Sequence, residues 1–215
     1  MPNVYICQIT RNLSRDEYSS LEQLIDLEKK QRLRKFHRYI DAQRGLLGDV
    51  LARYAIGLEN GLENSGITFK INEYGKPFLY CNPAVCFNIS HAGQYVVCAI
   101  DGNQIGIDVE EIKPIDIKIA EKFFCGREKQ YVVGTIYEDT MYRFFRVWTM
   151  KESYIKKIGK GLSIPLATFD VFDLCDCFFF EVFRDDEAVC SICTETDETP
   201  HITALSIDEL LNGST

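Results

Sequence analysis

The chain has 215 residues, of which 46% are hydrophobic, and its formal net charge is −8. This length allows one large domain or two small ones with a packed core, and the acidic balance argues against nucleic acid as the main partner. No apolar run approaches the roughly 18 residues of a membrane span, and none has the pattern of a secretion signal. We therefore expect a cytoplasmic protein without a membrane partner, whose nine cysteines are reduced thiols.

The first part of the chain predicts a strand, a helix and a strongly basic segment. Residues 4–9 have the pattern of a strand, and Ser14 followed by Glu17 is a capping box at the start of a helix. Residues 28–38 contain six basic side chains in eleven positions: Lys29, Lys30, Arg32, Arg34, Lys35 and Arg38. This run is either a solvated helix face or an anion site, and Arg44 follows within one or two turns.

The next segment combines a long helix with three strands. Residues 41–56 predict an amphipathic helix, because apolar side chains recur there at helical spacing. Strands are predicted at residues 67–71, 85–93 and 95–100. Residues 73–77 have the composition of a turn, which would present Lys76 between the flexible Gly75 and the rigid Pro77.

An acidic strand is predicted at residues 104–111, close to the midpoint of the chain. Three apolar residues (Ile105, Ile107, Val109) alternate there with Gly106, Asp108 and Glu110. Residues two apart on a strand point to the same face, so Asp108 and Glu110 should lie side by side. Carboxylates that close repel each other unless a cation or a proton lies between them, and such oxygen pairs suit Mg²⁺. A solvated edge strand with an acidic end is the alternative interpretation.

The last part of the chain predicts three helices followed by strands. The helices are predicted at residues 117–124, 127–136 and 142–158, the strands at 169–172, 177–183, 188–194 and 202–205, and a short last helix at 207–211. In the third helix Trp148, Glu152 and Lys156 are spaced four apart and share one face. A Glu–Lys pair at this spacing, such as Glu152 and Lys156, most often only stabilises an exposed helix. It has a functional role here only if that face meets Asp108 and Glu110.

A weak internal repeat, referred to below as the echo, suggests two similar halves. A long helix at residues 44–58 and another at 142–158 are each followed by a Gly-Lys pair, a proline and a strand. The echo predicts two α/β halves, residues 1–103 and 104–215, that meet near the acidic strand. Ligand sites favour interfaces of this kind.

Together these segments resemble the 4′-phosphopantetheinyl transferases of the surfactin (Sfp) type. The matching motifs lie at residues 44–51, 74–77, 87–91, 105–110 and 148–156, and the basic run before them also looks like the family. Their order and spacing carry the resemblance, which spans about Val4 to Leu211. One departure is Ala92, where the family often has a second Ser after the His.

The resemblance implies an α/β (α+β) fold of two similar halves in a pseudo-twofold arrangement, with the active site at their interface. It implies transfer of the phosphopantetheine arm of coenzyme A to a carrier serine, which leaves adenosine 3′,5′-bisphosphate. Asp108, Glu110 and Glu152 would hold Mg²⁺, and Lys156 would contact the transferred phosphate. Glu152, Lys156 and Asp108 would thus be the catalytic group, with Glu152 as metal ligand, general base or both.

The same resemblance implies a binding site for coenzyme A. Ser90 and His91 would contact its phosphates, with Asp108 and Lys156 beside them. The residues implied at the nucleotide end are Lys29, Arg32, Arg44, Gly75, Lys76 and Pro77. Local basic residues are also what an acidic protein needs to hold a strongly anionic ligand.

The implied partners are apo carrier proteins of the peptidyl, polyketide or acyl type, and the implied state is a monomer. We expect the carrier to dock beside the apolar segment at residues 123–142. Two other functions stay open. A Mg²⁺-dependent hydrolase of coenzyme A or nucleotide pyrophosphates would use the same three carboxylates with water as the nucleophile. A coenzyme A-binding module without chemistry would be favoured only if these carboxylates were missing.

Overall fold

The computed structural model describes residues 1–134 and 137–213 and contains, within them, seven α-helices and three β-sheets. The first half contributes β1 (Asn3–Gln8), α1 (Arg15–Gln23), α2 (Leu27–Leu33), α3 (Tyr39–Asn60), β2 (Phe69–Ile71), β3 (Pro77–Leu79), β4 (Cys86–Ala92) and β5 (Tyr95–Asp101). The second contributes β6 (Gly106–Glu111), α4 (Ile119–Phe123), α5 (Gly126–Val133), α6 (Tyr137–Ile158), β7 (Phe178–Arg184), β8 (Ala188–Thr194), β9 (His201–Leu205) and α7 (Ile207–Gly213).

The first sheet carries α3 on one face. Its strand order is β4-β5-β1-β9, with β1 antiparallel to β5 and parallel to β9. The helix packs on β4 and β5 and is also covered by α1, α2 and α7. Because it is enclosed on several sides, its residues 45–53 are all buried. Gly61 ends it in the left-handed conformation, with φ of +63°.

The three-stranded sheet, referred to below as the second sheet, carries α6 in the same way. Its strand order is β6-β8-β7, all antiparallel, and α6 packs on β6 and β8. The central strand β8 is buried along its whole length, which explains its almost continuous apolar sequence. A cluster of aromatic side chains that includes Phe124, Phe144 and Phe145 fills the space below α6.

The echo in the sequence therefore corresponds to two sheets that each carry a helix of 22 residues. This confirms the mixed α/β class with two similar halves. The chain also returns on itself, since β9 and α7, at its C-terminal end, complete the first sheet and pack on α3. The division into residues 1–103 and 104–215 stays a prediction. No helix within the described residues is both long and apolar enough to cross a bilayer.

The strand predicted at residues 169–172 was wrong, because this segment forms turns. Its backbone groups are satisfied by side chains instead of by a neighbouring strand. The Val171 N–H donates to the Glu128 carboxylate at 2.9 Å, and the Phe169 carbonyl accepts from Lys151 Nζ at 2.6 Å. Apolar residues in this segment are buried against the fold without entering a sheet.

Other boundaries differ by a few residues. The helix expected at residues 41–56 begins at Tyr39 and continues to Asn60. Strand β3, which was not predicted, begins at Pro77, the last residue of the predicted turn. The helix expected at residues 127–136 is α5, which ends at Val133. Residues 135 and 136 of that expectation, and the last two residues of the chain, lie outside the described residues.

Candidate active site at the seam between the sheets

Strand β4 of the first sheet runs beside β6 of the second, and side chains join them. Asn88 Oδ1 accepts a hydrogen bond from the Ile107 N–H at 2.9 Å, and Ser90 Oγ accepts one from the Val109 N–H at 3.4 Å. Asn88 and Ser90 lie two residues apart on one face of β4. The two sheets are therefore joined by polar side chains of β4 that bind the backbone of β6.

Helix α6 approaches this seam closely because β6 begins with a glycine. A Cβ atom at Gly106 would overlap the backbone of Ser153 and Lys157 on α6. Only glycine permits that approach, which brings the face with Glu152 and Lys156 against β6. The face shared by these two residues therefore does meet the acidic strand.

Asp108 is the centre of this arrangement. It is 4% exposed, and its Oδ1 accepts hydrogen bonds from Ser90 Oγ at 2.9 Å and from Lys156 Nζ at 2.6 Å. Lys156 Nζ also donates to Ser90 Oγ at 2.8 Å. Within the described residues, Asp108 Oδ2 is buried and has no hydrogen-bond partner. A buried carboxylate oxygen without a donor is costly, so this atom is a candidate ligand for a cation.

Glu110 and Glu152 complete an acidic group around Asp108. Burial, together with the negative charge of Asp108, raises the pKa of Glu110 to about 7. Burial and the same charge raise the pKa of Glu152. The negative charge of Asp108 therefore acts on both of the other carboxylates. In the part of the chain that the structure describes, no three His, Cys, Asp or Glu side chains stand in a ready metal-binding arrangement.

A group of cations lies next to these carboxylates around His91. Desolvation by neighbouring atoms lowers the pKa of His91, and the positive charges of Lys156, Lys29 and Arg44 lower it further, although part of the ring remains open to solvent. Arg44 is held in place by a hydrogen bond from its Nε to the Gly93 carbonyl at 2.6 Å. This half-open cationic group can bind an anion beside a site that can bind a cation.

Part of the basic run opens into a small cleft of about 90 Å³. Lys29 and Arg32 from α2 line it together with Gly75 from the turn before β3 and Pro77 at the start of β3. Burial lowers the pKa of Lys29, whose Nζ lies 3.9 Å from Asp49 Oδ2. The cleft thus brings together residues that are more than forty positions apart in the chain.

Lys76 lies in the same turn, but its side chain has different partners. Its Nζ donates to the Ile105 carbonyl at 3.2 Å and to the Lys157 carbonyl at 3.0 Å. Burial lowers its pKa to about 8. The amine expected at a nucleotide is therefore bound to the start of β6 and the end of α6.

Sequence reasoning missed two polar features. Asn88 was not considered, although a polar residue at a period of two from Ser90, in an otherwise apolar strand, indicates a polar partner on that face. Lys151 and Glu128 form a fully buried ion pair with an Nζ–Oε1 distance of 2.8 Å. No local signal distinguished Lys151 from Lys156 and Lys157 on the same helix.

Both halves of the chain match models of known protein families. A model described as "4′-phosphopantetheinyl transferase, N-terminal" matches residues 12–103, and one of the "4′-phosphopantetheinyl transferase superfamily" matches residues 104–206. The 4′-phosphopantetheinyl transferase Sfp of Bacillus subtilis is 37% identical over 97% of this chain and 99% of its own. The transferase gsp of Aneurinibacillus migulanus is 41% identical over 79% of this chain and 70% of its own, and HetI of Nostoc is 30% identical over 75% and 66%.

Proposed function

Because this chain belongs to the 4′-phosphopantetheinyl transferase superfamily, we propose that it moves the 4′-phosphopantetheine arm of coenzyme A to a serine of apo carrier proteins. The carriers would be of the peptidyl, polyketide or acyl type, and the second product would be adenosine 3′,5′-bisphosphate. The observation that carries the proposal is the contact of Lys156 with Asp108 and Ser90, at which α6, β6 and β4 meet. A monomer in the cytoplasm stays a prediction.

The acidic group fits a magnesium ion. Asp108, Glu110 and Glu152 supply the oxygen ligands that Mg²⁺ prefers, and the buried Asp108 Oδ2 has no other partner within the described residues. Burial and the negative charge of Asp108 raise the pKa of Glu110 and of Glu152, and a bound cation would offset both effects. When bound, Mg²⁺ would neutralise charge on the pyrophosphate of coenzyme A.

The cations of the site would hold the phosphates. Lys156 would donate to the phosphate that is transferred, while Ser90 and His91 would contact the phosphates of coenzyme A. The cations that surround His91 support this placement, since anions are favoured where several cations lie close together. At the nucleotide end we propose Lys29, Arg32, Arg44, Gly75 and Pro77, of which four line one cleft. Lys76 stays a prediction there, since its amine donates to the carbonyls of Ile105 and Lys157.

The chemistry needs a nucleophile from the carrier and a proton acceptor from this chain. The serine oxygen would form a bond to the phosphorus of the phosphopantetheine arm, and the bond from that phosphorus to the bridging oxygen would break. The serine proton needs a base within reach, and Glu152 is the candidate because it lies on the same face of α6 as Lys156. Lys156, one turn further along the same face, would stabilise negative charge at the transferred phosphate.

The test combines coenzyme A, Mg²⁺ and an apo carrier protein with the purified chain, and intact-mass spectrometry follows the carrier. Modified carrier with stoichiometric adenosine 3′,5′-bisphosphate supports transfer. Release of both halves of coenzyme A without carrier would instead establish hydrolysis, and binding without turnover would establish a binding module. Each of the last two results overturns the proposal.

Glu152→Gln separates the two roles of Glu152, with Glu63→Gln on the exposed surface as the matched control. The substitution keeps shape and one oxygen but cannot take a proton. If Glu152 is only a ligand, excess Mg²⁺ or Mn²⁺ recovers much of the rate, whereas added metal does not help if Glu152 is the base. A base contributes roughly 10²–10⁴ in rate, so near-normal turnover of Glu152→Gln would exclude both roles.

A further inference from the structure

The turn between β2 and β3 has a rigid internal structure. Asn72 Oδ1 accepts hydrogen bonds from the N–H groups of Tyr74 and Lys76, both at 2.9 Å. The Asn72 N–H in turn donates to the Lys76 carbonyl at 2.9 Å, and Gly75 has φ of +88°, which few other residues adopt. A turn fixed by its own hydrogen bonds can hold a neighbouring element in place.

That neighbouring element is the C-terminal end of α6. Lys76 Nζ donates to the Lys157 carbonyl at 3.0 Å, and Asn72 Nδ2 donates to the Gly159 carbonyl at 2.9 Å. The last carbonyls of a helix lack partners within the helix and carry partial negative charge. An ammonium and an amide from the turn therefore provide the hydrogen bonds that this helix end lacks.

The same ammonium also joins α6 to β6. Its second acceptor is the Ile105 carbonyl at 3.2 Å, directly before Gly106, where the α6 backbone contacts the strand. A Cβ at Gly159 would lie 2.8 Å from Cδ of Lys76, so the helix end is packed tightly against this side chain. Lys76 thus bridges the two elements that carry Asp108 and Lys156.

We propose that Lys76 is a positioning residue, which fixes the last turn of α6 against β6 and so keeps Lys156 Nζ at Asp108 and Ser90. The effect of Lys76 on the rate of transfer rests on the proposed function, whereas its effect on the position of α6 does not. Lys156 immediately precedes Lys157, whose carbonyl Lys76 holds. Without this bridge the last turn of α6 would fray, and Lys156 would lose its defined position 2.6 Å from Asp108.

Hydrogen–deuterium exchange of the full chain without ligands tests the structural arm. In Lys76→Met, amides of residues 155–159 should exchange at least about tenfold faster than in the wild type, because hydrogen bonds from a charged donor to two carbonyls are lost. Lys70→Met is the matched control, since Lys70 is an exposed lysine of β2 whose Nζ lies over the Tyr80 ring. Exchange in Lys76→Met equal to that in the control would overturn the proposal.

Steady-state kinetics provide the second arm and distinguish positioning from nucleotide binding. For a positioning residue, Lys76→Met lowers kcat while KM for coenzyme A changes by less than about threefold, and Lys76→Arg recovers part of the loss. A raised KM with unchanged kcat would identify a nucleotide contact and contradict the proposal. If the wild type shows no transfer, the proposed function fails, while the exchange experiment still decides the role of Lys76.

Lys76→Gln covers the case in which Lys76→Met does not fold. Its amide is too short to reach both carbonyl oxygens, so the same amides should again exchange faster. Unchanged exchange in a folded Lys76→Gln would also overturn the proposal.

Discussion

Lys151→Met tests how far the position of α6 depends on one buried ion pair. Lys151 and Glu128 are both 0% exposed, with Nζ 2.8 Å from Oε1. Lys151 Nζ also donates to the carbonyls of Leu166 at 2.9 Å and Phe169 at 2.6 Å. Methionine fills a similar volume but supplies neither the charge nor these three contacts. Removing one partner of a buried pair leaves the other charge uncompensated, which costs about 3–5 kcal/mol.

The other contacts of Glu128 indicate a loss near the lower end of that range. Its carboxylate still accepts hydrogen bonds from the N–H groups of Cys125 at 2.7 Å and Val171 at 2.9 Å. We therefore expect the free energy of unfolding to fall by about 3 kcal/mol. Because both charges are absent from Lys151→Met/Glu128→Gln, the double variant should be less destabilised than the sum of the single variants.

Urea unfolding followed by tryptophan fluorescence measures this loss. Trp148 is the only tryptophan of the chain and stacks on Phe144, with ring centroids 5.8 Å apart, so it reports on the packing of α6. The control is Arg127→Met, which removes an exposed ion pair with Asp173 and should cost less than about 1 kcal/mol. The reasoning would be refuted if Lys151→Met lost no more stability than Arg127→Met, or if the effects in the double variant were additive.

Three further outcomes are expected. Gly106→Ala should lose at least about 1–3 kcal/mol in chemical denaturation, because its Cβ would overlap the α6 backbone; an unchanged midpoint would contradict this. Lys76 has a folded-state pKa of about 8, below its ordinary 10.5, so unfolding takes up a proton between these values. Wild-type stability should therefore rise relative to Lys76→Met by up to about 1.4 kcal/mol per pH unit from pH 8 to 10.5 and stay flat below pH 7; a constant difference would refute the shift. Val133→Asp, at a position 64% exposed, should weaken carrier binding in calorimetry and leave coenzyme A affinity unchanged, whereas loss of both would make Val133 structural.

The docking expectation covers residues 123–142, of which 135 and 136 lie outside the described residues. Tyr131 is less suitable than Val133 as a probe, because its hydroxyl accepts a hydrogen bond from Arg146 at 2.9 Å and its ring packs edge-on against Phe172. A change at Tyr131 would therefore disturb the packing of α5 as well as any contact with a carrier.

Local sequence pattern was sufficient for most of the elements around the site. The alternation at residues 105–110 predicted β6, and the spacing of Glu152 and Lys156 predicted one face of α6, because strand and helix periods are local properties. The sequence did not predict the contact of Lys156 with Asp108, because periodicity shows which residues share a face but not which faces meet. Gly106 is the reason why α6 approaches β6. In a sequence, however, a glycine in a strand indicates a close approach without showing which element approaches.

The other differences have a common physical reason. Lys76, Lys151 and Asn88 are polar residues whose partners lie on distant segments. Each of the three bonds a backbone carbonyl or N–H group, which any sequence supplies. Residues 169–172 have the composition of a strand, but side chains of α5 and α6 take their hydrogen bonds. Tertiary context overrode local propensity at each of these positions.

The parallel pairing of β9 with β1 has a consequence for folding during synthesis. During synthesis β1 (Asn3–Gln8) emerges long before β9 (His201–Leu205), which is one of its two neighbours in the sheet. Until then the nascent first sheet has an open edge, which is prone to pair with other chains, and the closing contacts span almost the full sequence. The first half of the chain can therefore reach its final sheet only after the second half has been translated.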